Sequence, residues 1–336
     1  MQDRPEHPGK SRTWRSVALR AARWAVSVTA IVLLLRRVTL AEIRTAMESS
    51  RLWLFGLSTG VICLRQFLFG WRWRVVLSIS GVHVSTARLT SWVMIGQFFG
   101  IFLPTTVGGD VVRMYELSRH IGQSAVAVAS VLLERVAGVW AMAALAVLGL
   151  AVSPEARREP AVCLAVAGIC AGCAGLSVVL FGRTLSRSVV GLLRRLRLVG
   201  LAERIERGYA VVHEYLRPEH RAKAAGALAL SLGTHFVSAF VVYLIGQSLG
   251  AHVPFTYYCT SLPVLWAVLM LPISVSGIGV REGGFVFFFT AVGVAQPTAL
   301  LMSFFSFLQL VVLGVVGGVC YVAHPHLFRT NERSGR

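Results

Sequence analysis

Arginines and carboxylates stand inside strongly apolar sequence at a few places in this chain of 336 residues. A charge at membrane depth is expensive, which makes each one a functional candidate by default. The set is Asp110, Arg113 and Glu116, then Glu134 and Arg135, then Arg281 and Glu282. Two of the three groups belong to a repeated stretch. Leu103-Pro104-Thr105-Thr106-Val107-Gly108-Gly109-Asp110-Val111-Val112-Arg113 lies 168 positions before Leu271-Pro272-Ile273-Ser274-Val275-Ser276-Gly277-Ile278-Gly279-Val280-Arg281, and six of the eleven positions are identical. Each copy is a Pro/Gly break that carries an arginine. In a membrane protein, paired interruptions at matching places in two halves point to a transport site.

The chemistry these residues support is anion binding. A guanidinium fork matches phosphate geometry, and the helix N-terminus after each break adds a positive dipole end. Arg113 and Arg281 are the candidate grips, with Asp110, Glu134, Arg135 and Glu282 orienting them. Gly108, Gly109, Gly277 and Gly279 let a headgroup come close to the backbone. Asp110 is placed to cap the following helix by accepting from the N–H of Val112 or Arg113, and it shares a face with Arg113 at i+3. Ser276 would cap the second copy. Glu134 lies about ten residues into its span, a depth of ~15 Å, so a bare ion there needs a partner. The competing reading is that the same charges only lock the breaks in place.

The elements that must position them are membrane helices. The chain is 55% hydrophobic and 14% charged, and runs such as 125–133, 136–152 and 311–323 carry no charge. Only helices or closed barrels satisfy the backbone in lipid. Spans are predicted at 17–35, 52–70, 124–150, 161–182, 223–249 and 297–322. Between them, 89–103 makes only ~22 Å of helix, short of the ~30 Å hydrocarbon core, and 258–290 is broken at Pro272 and at Gly277/Gly279. Both suit re-entrant hairpins, which a bilayer tolerates where they are buried in protein or line a wet cavity. The expected fold is therefore all-α: one polytopic helical bundle over 1–336, with repeat halves at about 17–150 and 161–322.

Charge placement sets the orientation. The net charge is +18, and the arginines flank the apolar spans. That is the positive-inside pattern, and it points to anionic lipid headgroups and away from nucleic acid. Segment 183–223 carries ten Lys/Arg against four Glu and belongs in the cytoplasm. Its part 185–209 reads as an amphipathic helix on the inner leaflet. Loop 72–88 also falls inside, with Trp71, Trp73, Arg72 and Arg74 read as an interfacial anchor. Loops 151–160 and 250–257 fall outside. Arg12, Arg15, Arg20 and Arg23 precede the apolar run 24–35 and Arg36-Arg37 follow it, the pattern of an uncleaved first span. Both termini then lie in the cytoplasm and the two hairpins are inverted relative to each other. Loop 36–51, with four Arg and two Glu where an outside loop is needed, runs against this topology.

Other signals are weaker. The six cysteines sit mostly in apolar runs, with no His or carboxylate at metal spacing, so no metal or cofactor is expected. Gly56…Gly60, Gly96…Gly100 and Gly314…Gly318 are small-residue faces for close helix packing, and a homo-oligomer is compatible with them. Phe285–Phe289 is apolar mass, lipid-facing or packed.

Taken together, Pro104…Gly108-Gly109-Asp110…Arg113, Glu134-Arg135 and Pro272…Gly277-Ile278-Gly279-Val280-Arg281-Glu282 resemble the lysylphosphatidylglycerol synthase transmembrane region. This is the flippase-like domain of the multiple peptide resistance factor, also found alone in many bacteria and archaea. The likeness covers about residues 20–322. It implies a multi-pass protein of the cytoplasmic (inner) membrane that moves lipids or lipid-linked molecules. Aminoacyl transfer in that family resides in a separate soluble domain, and about 14 residues follow the last predicted span, so synthase activity is not expected. The leading expectation is a translocase for an anionic phospholipid or lipid-linked substrate, without enzyme activity. Two other classes stay open: a membrane-embedded lipid transferase with Asp110 or Glu134 as general base, and a scaffold for cell-envelope enzymes.

Overall fold

The computed structural model describes residues 41, 44, 51–102, 108–181, 191, 217–271, 274 and 277–323. These form α1 (Leu52–Ile79), α2 (Thr86–Phe102), α3 (Gly108–Ile121), α4 (Ser124–Val152), α5 (Pro154–Arg158), α6 (Pro160–Phe181), a 3-10 turn at Pro218–His220, α7 (Arg221–Ser248), α8 (Phe255–Leu269), α9 (Val280–Thr290) and α10 (Gln296–Ala323). The described residues contain no strand. Five helices are long and apolar enough to cross a membrane: Trp53–Ile79, Ser124–Val152, Pro160–Val178, Pro218–Ser248 and Gln296–Ala323. They coincide with five predicted spans. The span at 17–35, all but residue 191 of the amphipathic segment 185–209 and most of loop 36–51 lie outside the described residues.

The five long helices are apolar all round, as buried or membrane helices are, whereas α3 carries Asp110, Arg113, Glu116 and Arg119. In α4 the inward face is small, with Ala127, Ala141, Ala146, Gly138 and Gly149 buried, while Leu132, Trp140 and Leu148 point outward. The large side chains thus sit where lipid would meet them, and the small ones let helices approach. α1 packs along α7, α10 along α2, and α4 against α7 and α8. One apolar core gathers around Tyr257, Tyr258, Phe289 and Met302. A second gathers around Trp73, Leu89, Trp92 and Leu117.

Two boundaries differ from the predicted ones. α1 does not end at residue 70 but runs on to Ile79. It stops there because Gly81 takes φ 72°, the Gly81 N–H reaches the Ser78 carbonyl at 3.4 Å and the Val82 N–H reaches that of Leu77 at 3.2 Å, a Schellman stop. The stretch read as an interfacial anchor is therefore helix interior. Trp73 is fully buried and Arg72 nearly so, whereas Trp71 stays exposed. The predicted loop 151–160 is itself largely helical, because Ser153 Oγ accepts from the Ala156 N–H at 3.2 Å and Pro154 starts the turn.

Both predicted breaks fold back as antiparallel helical hairpins. In the first, α2 and α3 meet at Gly96 and Gly109, and at their other ends Arg88 Nη1 lies 3.1 Å from His120 Nε2. In the second, Tyr257 Oη donates to the Phe288 carbonyl at 2.6 Å while Leu265 lies over Gly284 and Leu269 over Gly277. Of the other small-residue faces, Gly314 and Gly318 pack on α2 at Ile101 and Phe98, but Gly56 and Gly60 meet no neighbour. The phenylalanine run divides: Phe285, Phe288 and Phe289 are buried and Phe287 faces out.

Candidate functional site

A ladder of alternating charges runs across α1, α3 and α4. Glu134 is 1% exposed, so its ionised form requires opposite charge at hand. It has two partners: Oε1 accepts from Arg72 Nε at 3.2 Å and Oε2 from Arg113 Nη2. Arg113 Nη1 donates to Asp110 Oδ1 at 3.3 Å, and Asp110 Oδ2 accepts from Arg135 Nε. Arg72 finishes the far end by donating from Nη1 to Ser231 Oγ of α7 at 3.3 Å.

Aromatic faces hold the cations in place. The Arg72 guanidinium lies 4.1 Å from the Phe69 ring centroid, and that of Arg113 lies 4.2 Å from Trp73 and 5.1 Å from Phe69. Such faces attract guanidinium through the ring quadrupole. Trp73 is fixed in turn, its Nε1 donating to Ser130 Oγ at 3.1 Å.

The second hairpin builds its charges locally. Arg281 Nη2 donates to Glu282 Oε1 at 2.9 Å, and the guanidinium sits 4.2 Å from the Phe307 ring. Glu282 Oε2 accepts from the Gly279 N–H at 2.6 Å, and its Oε1 also accepts from Ser303 Oγ at 3.4 Å. Gly279 is the residue before α9 and takes φ 84°, a backbone state open mainly to glycine. The capping expectations change accordingly. Asp110 is not a cap, because α3 already begins at Gly108 and both Asp110 oxygens go to arginines. In the second copy Glu282 does the capping from inside the helix; Ser276, like 103–107, lies outside the described residues.

Between the two hairpins is a cavity of about 420 Å³, within the usual size range of ligand sites. Of the sequence-derived set, Gly109, Asp110, Arg113, Arg135, Gly277 and Arg281 line it. Glu134, Glu282, Gly108 and Gly279 stand behind that lining and position it. Glu116 is buried beside Arg119 and takes no part. The wall is completed by apolar side chains such as Phe69, Trp266 and Phe307 and by the amides Gln66 and Gln97. In it glycine meets glycine: a Cβ built on Gly96 would stand 2.8 Å from the Gly109 carbonyl oxygen.

Two site residues are absent from the sequence-derived set. Arg72 was hidden by ending the first described span at residue 70. Arg65 lines the cavity from α1; it is the one charged residue within 52–70, and the rule that flagged Glu134 picks it out equally well. Among the described residues, no group of His, Cys, Asp and Glu is arranged to hold a metal ion.

No curated protein and no solved structure matches the chain. The family model for the lysylphosphatidylglycerol synthase TM region matches residues 20–318. That match takes in both hairpins and the charge ladder and reaches into every described membrane helix, and the chain belongs to this family of multi-pass membrane proteins related to lipid handling.

Proposed function

We propose that this protein is a lipid translocase of the cytoplasmic membrane, taking a phosphate-bearing headgroup into the cavity between its two hairpins while the acyl tails stay in lipid. The observation that carries this is the lining: Arg65, Arg113, Arg135 and Arg281 face a largely apolar cavity in which, among the described residues, Asp110 is the single carboxylate. A wall of guanidiniums held in place by carboxylates and aromatic faces favours an anion. Glycine at 96, 109 and 277 keeps the wall thin where the hairpins meet it.

On this reading one site is exposed alternately to the two sides, the hairpins act as inverted halves, both termini lie in the cytoplasm and movement is passive or ion-coupled. The arrangement fits a transferase less well. Asp110 and Glu134 are each held by two arginines, so their oxygens already accept from guanidiniums and do not present a lone pair to a substrate proton.

The test is reconstitution into liposomes carrying a labelled anionic phospholipid in one leaflet. Leaflet exchange is expected to accelerate with the protein and to fall to the protein-free rate in Arg113→Ala and Arg281→Ala, at equal incorporation. Normal exchange in both variants would remove this site from the mechanism.

A further inference from the structure

The charges around the cavity do not balance. Five guanidiniums (Arg65, Arg72, Arg113, Arg135 and Arg281) meet three carboxylates (Asp110, Glu134 and Glu282). Each carboxylate is already committed: Glu134 to Arg72 and Arg113, Asp110 to Arg113 and Arg135, Glu282 to Arg281 and the Gly279 N–H. Arg65 makes no hydrogen bond or ion pair with any described residue, and in the ladder from Arg72 to Arg135 three guanidiniums share two carboxylates. Counted over the described residues, the formal charge around the cavity is two positive.

The unmet hydrogen-bonding capacity has the same sign. Two side chains of the lining, Gln66 (3% exposed) and Arg113 (5% exposed), each carry a buried N–H without an acceptor, Nε2 and Nε respectively. Both are donors. A ligand matched to this wall supplies acceptors and negative charge and brings no donor of its own. A phosphodiester carries one charge. A terminal phosphate near neutral pH carries about two, on three acceptor oxygens.

We infer that the cavity selects a doubly charged terminal phosphate or diphosphate, and that Arg65 is the residue that binds its second charge. This rests on the translocase reading for the lipid as its source, but the anion preference itself does not. Arg113, though nearer the repeated motif, is largely neutralised by Glu134 and Asp110 and acts more as a rung of the ladder. Arg65 has no acid to release before it can bind.

The experiment uses the full-length protein in phosphatidylcholine nanodiscs, titrated with phosphatidic acid or phosphatidylglycerol and read by native mass spectrometry. Phosphatidic acid is expected to bind about tenfold more tightly, a difference worth ~1.4 kcal/mol. That preference should vanish in Arg65→Gln and return in part in Arg65→Lys. No carboxylate depends on Arg65, so an unchanged thermal midpoint should accompany the loss. Equal binding of the two lipids, or a preference surviving in folded Arg65→Gln, overturns the inference. Inorganic phosphate and pyrophosphate, titrated into lipid-matched discs, form a second arm. Arg65-dependent binding there without phosphatidic acid binding upholds the anion site and overturns a lipid as its source. Arg65-dependent phosphatidic acid binding with no leaflet exchange in liposomes upholds the site and strikes down the translocase reading alone.

Discussion

The two hairpins share a sequence motif and solve the same electrostatic problem differently. In the first, the arginine of the motif is neutralised across the fold. Arg113 meets Glu134 from α4, 21 residues on, and Glu134 in turn meets Arg72, 62 residues back. In the second, the acid is the next residue in the chain: Glu282 holds Arg281 and caps its own helix at Gly279. The first hairpin is thus bolted to the bundle by buried charge, and the second carries its charges as a self-contained unit. Glu134 is 1% exposed and the Glu282 side chain 20%. The difference teaches that a repeated motif fixes where a cation stands at the cavity but not what holds it there.

The largest expected effect breaks this contrast directly. Glu134→Gln removes the carboxylate shared by two buried guanidiniums, and removing one partner of a buried pair costs about 3–5 kcal/mol. The variant should accumulate poorly and melt well below the wild type in detergent. Glu282→Gln loses a helix cap and a partly exposed pair, about 0.5–2 kcal/mol, and should stay folded. Equal drops in melting temperature would show that the two hairpins are anchored alike.

A smaller effect separates two glycines of one helix. A methyl group on Gly96 would press on the Gly109 carbonyl oxygen at 2.8 Å, backbone against backbone, whereas one on Gly100 meets nothing closer than 3.8 Å. Gly96→Ala should cost about 1–3 kcal/mol as overpacking and prise α2 from α3. Gly100→Ala should be neutral, or stabilising by up to ~1 kcal/mol through helix propensity. Melting curves of the two variants decide it, and a tolerant Gly96 would mean the hairpin is looser than its geometry.

The spans and both breaks were legible because they depend on local facts: long apolar runs, and Pro/Gly at fixed places. Arg113, Arg281, Asp110 and Arg135 all line the cavity. The pairings were not legible. Nothing near Glu134 in the chain points to Arg72, because that contact comes from α1 and α4 crossing, a tertiary fact. Arg72 was also mistaken for an interfacial residue: a charge after an apolar run reads as the end of a span, although here the helix continues to Ile79 and a buried carboxylate compensates the cation. Capping failed for a related reason. Asp110 had the right type and place for a cap, but two arginines outbid the backbone for its oxygens.

The smallest effect tests whether the contrast extends to the far ends of the hairpins. α3 closes with Arg119 and His120 in its last turn, while α9 has no basic residue there. His120 stacks edge-on to Trp92 at 5.5 Å, and its Nε2 lies 3.1 Å from Arg88 Nη1 of α2. Arginine has no acceptor, so this contact requires a neutral imidazole that accepts. Partial burial and the positive charge of Arg88 hold the His120 pKa below its ordinary value of 6.5. The sign follows from linkage: the unfolded chain takes the proton first, so the contact's contribution is complete above about pH 6.5 and falls away as pH drops below it. Melting temperature should therefore decline more steeply below about pH 6.5 in the wild type than in His120→Gln, which can still accept from Arg88. The slope is expected to be shallow because His120 is exposed to solvent, and Arg88→Gln should flatten it further by removing the repelling charge. Identical pH profiles in all three proteins would show that α2 and α3 are held together by Gly96, Gly109 and the apolar core alone.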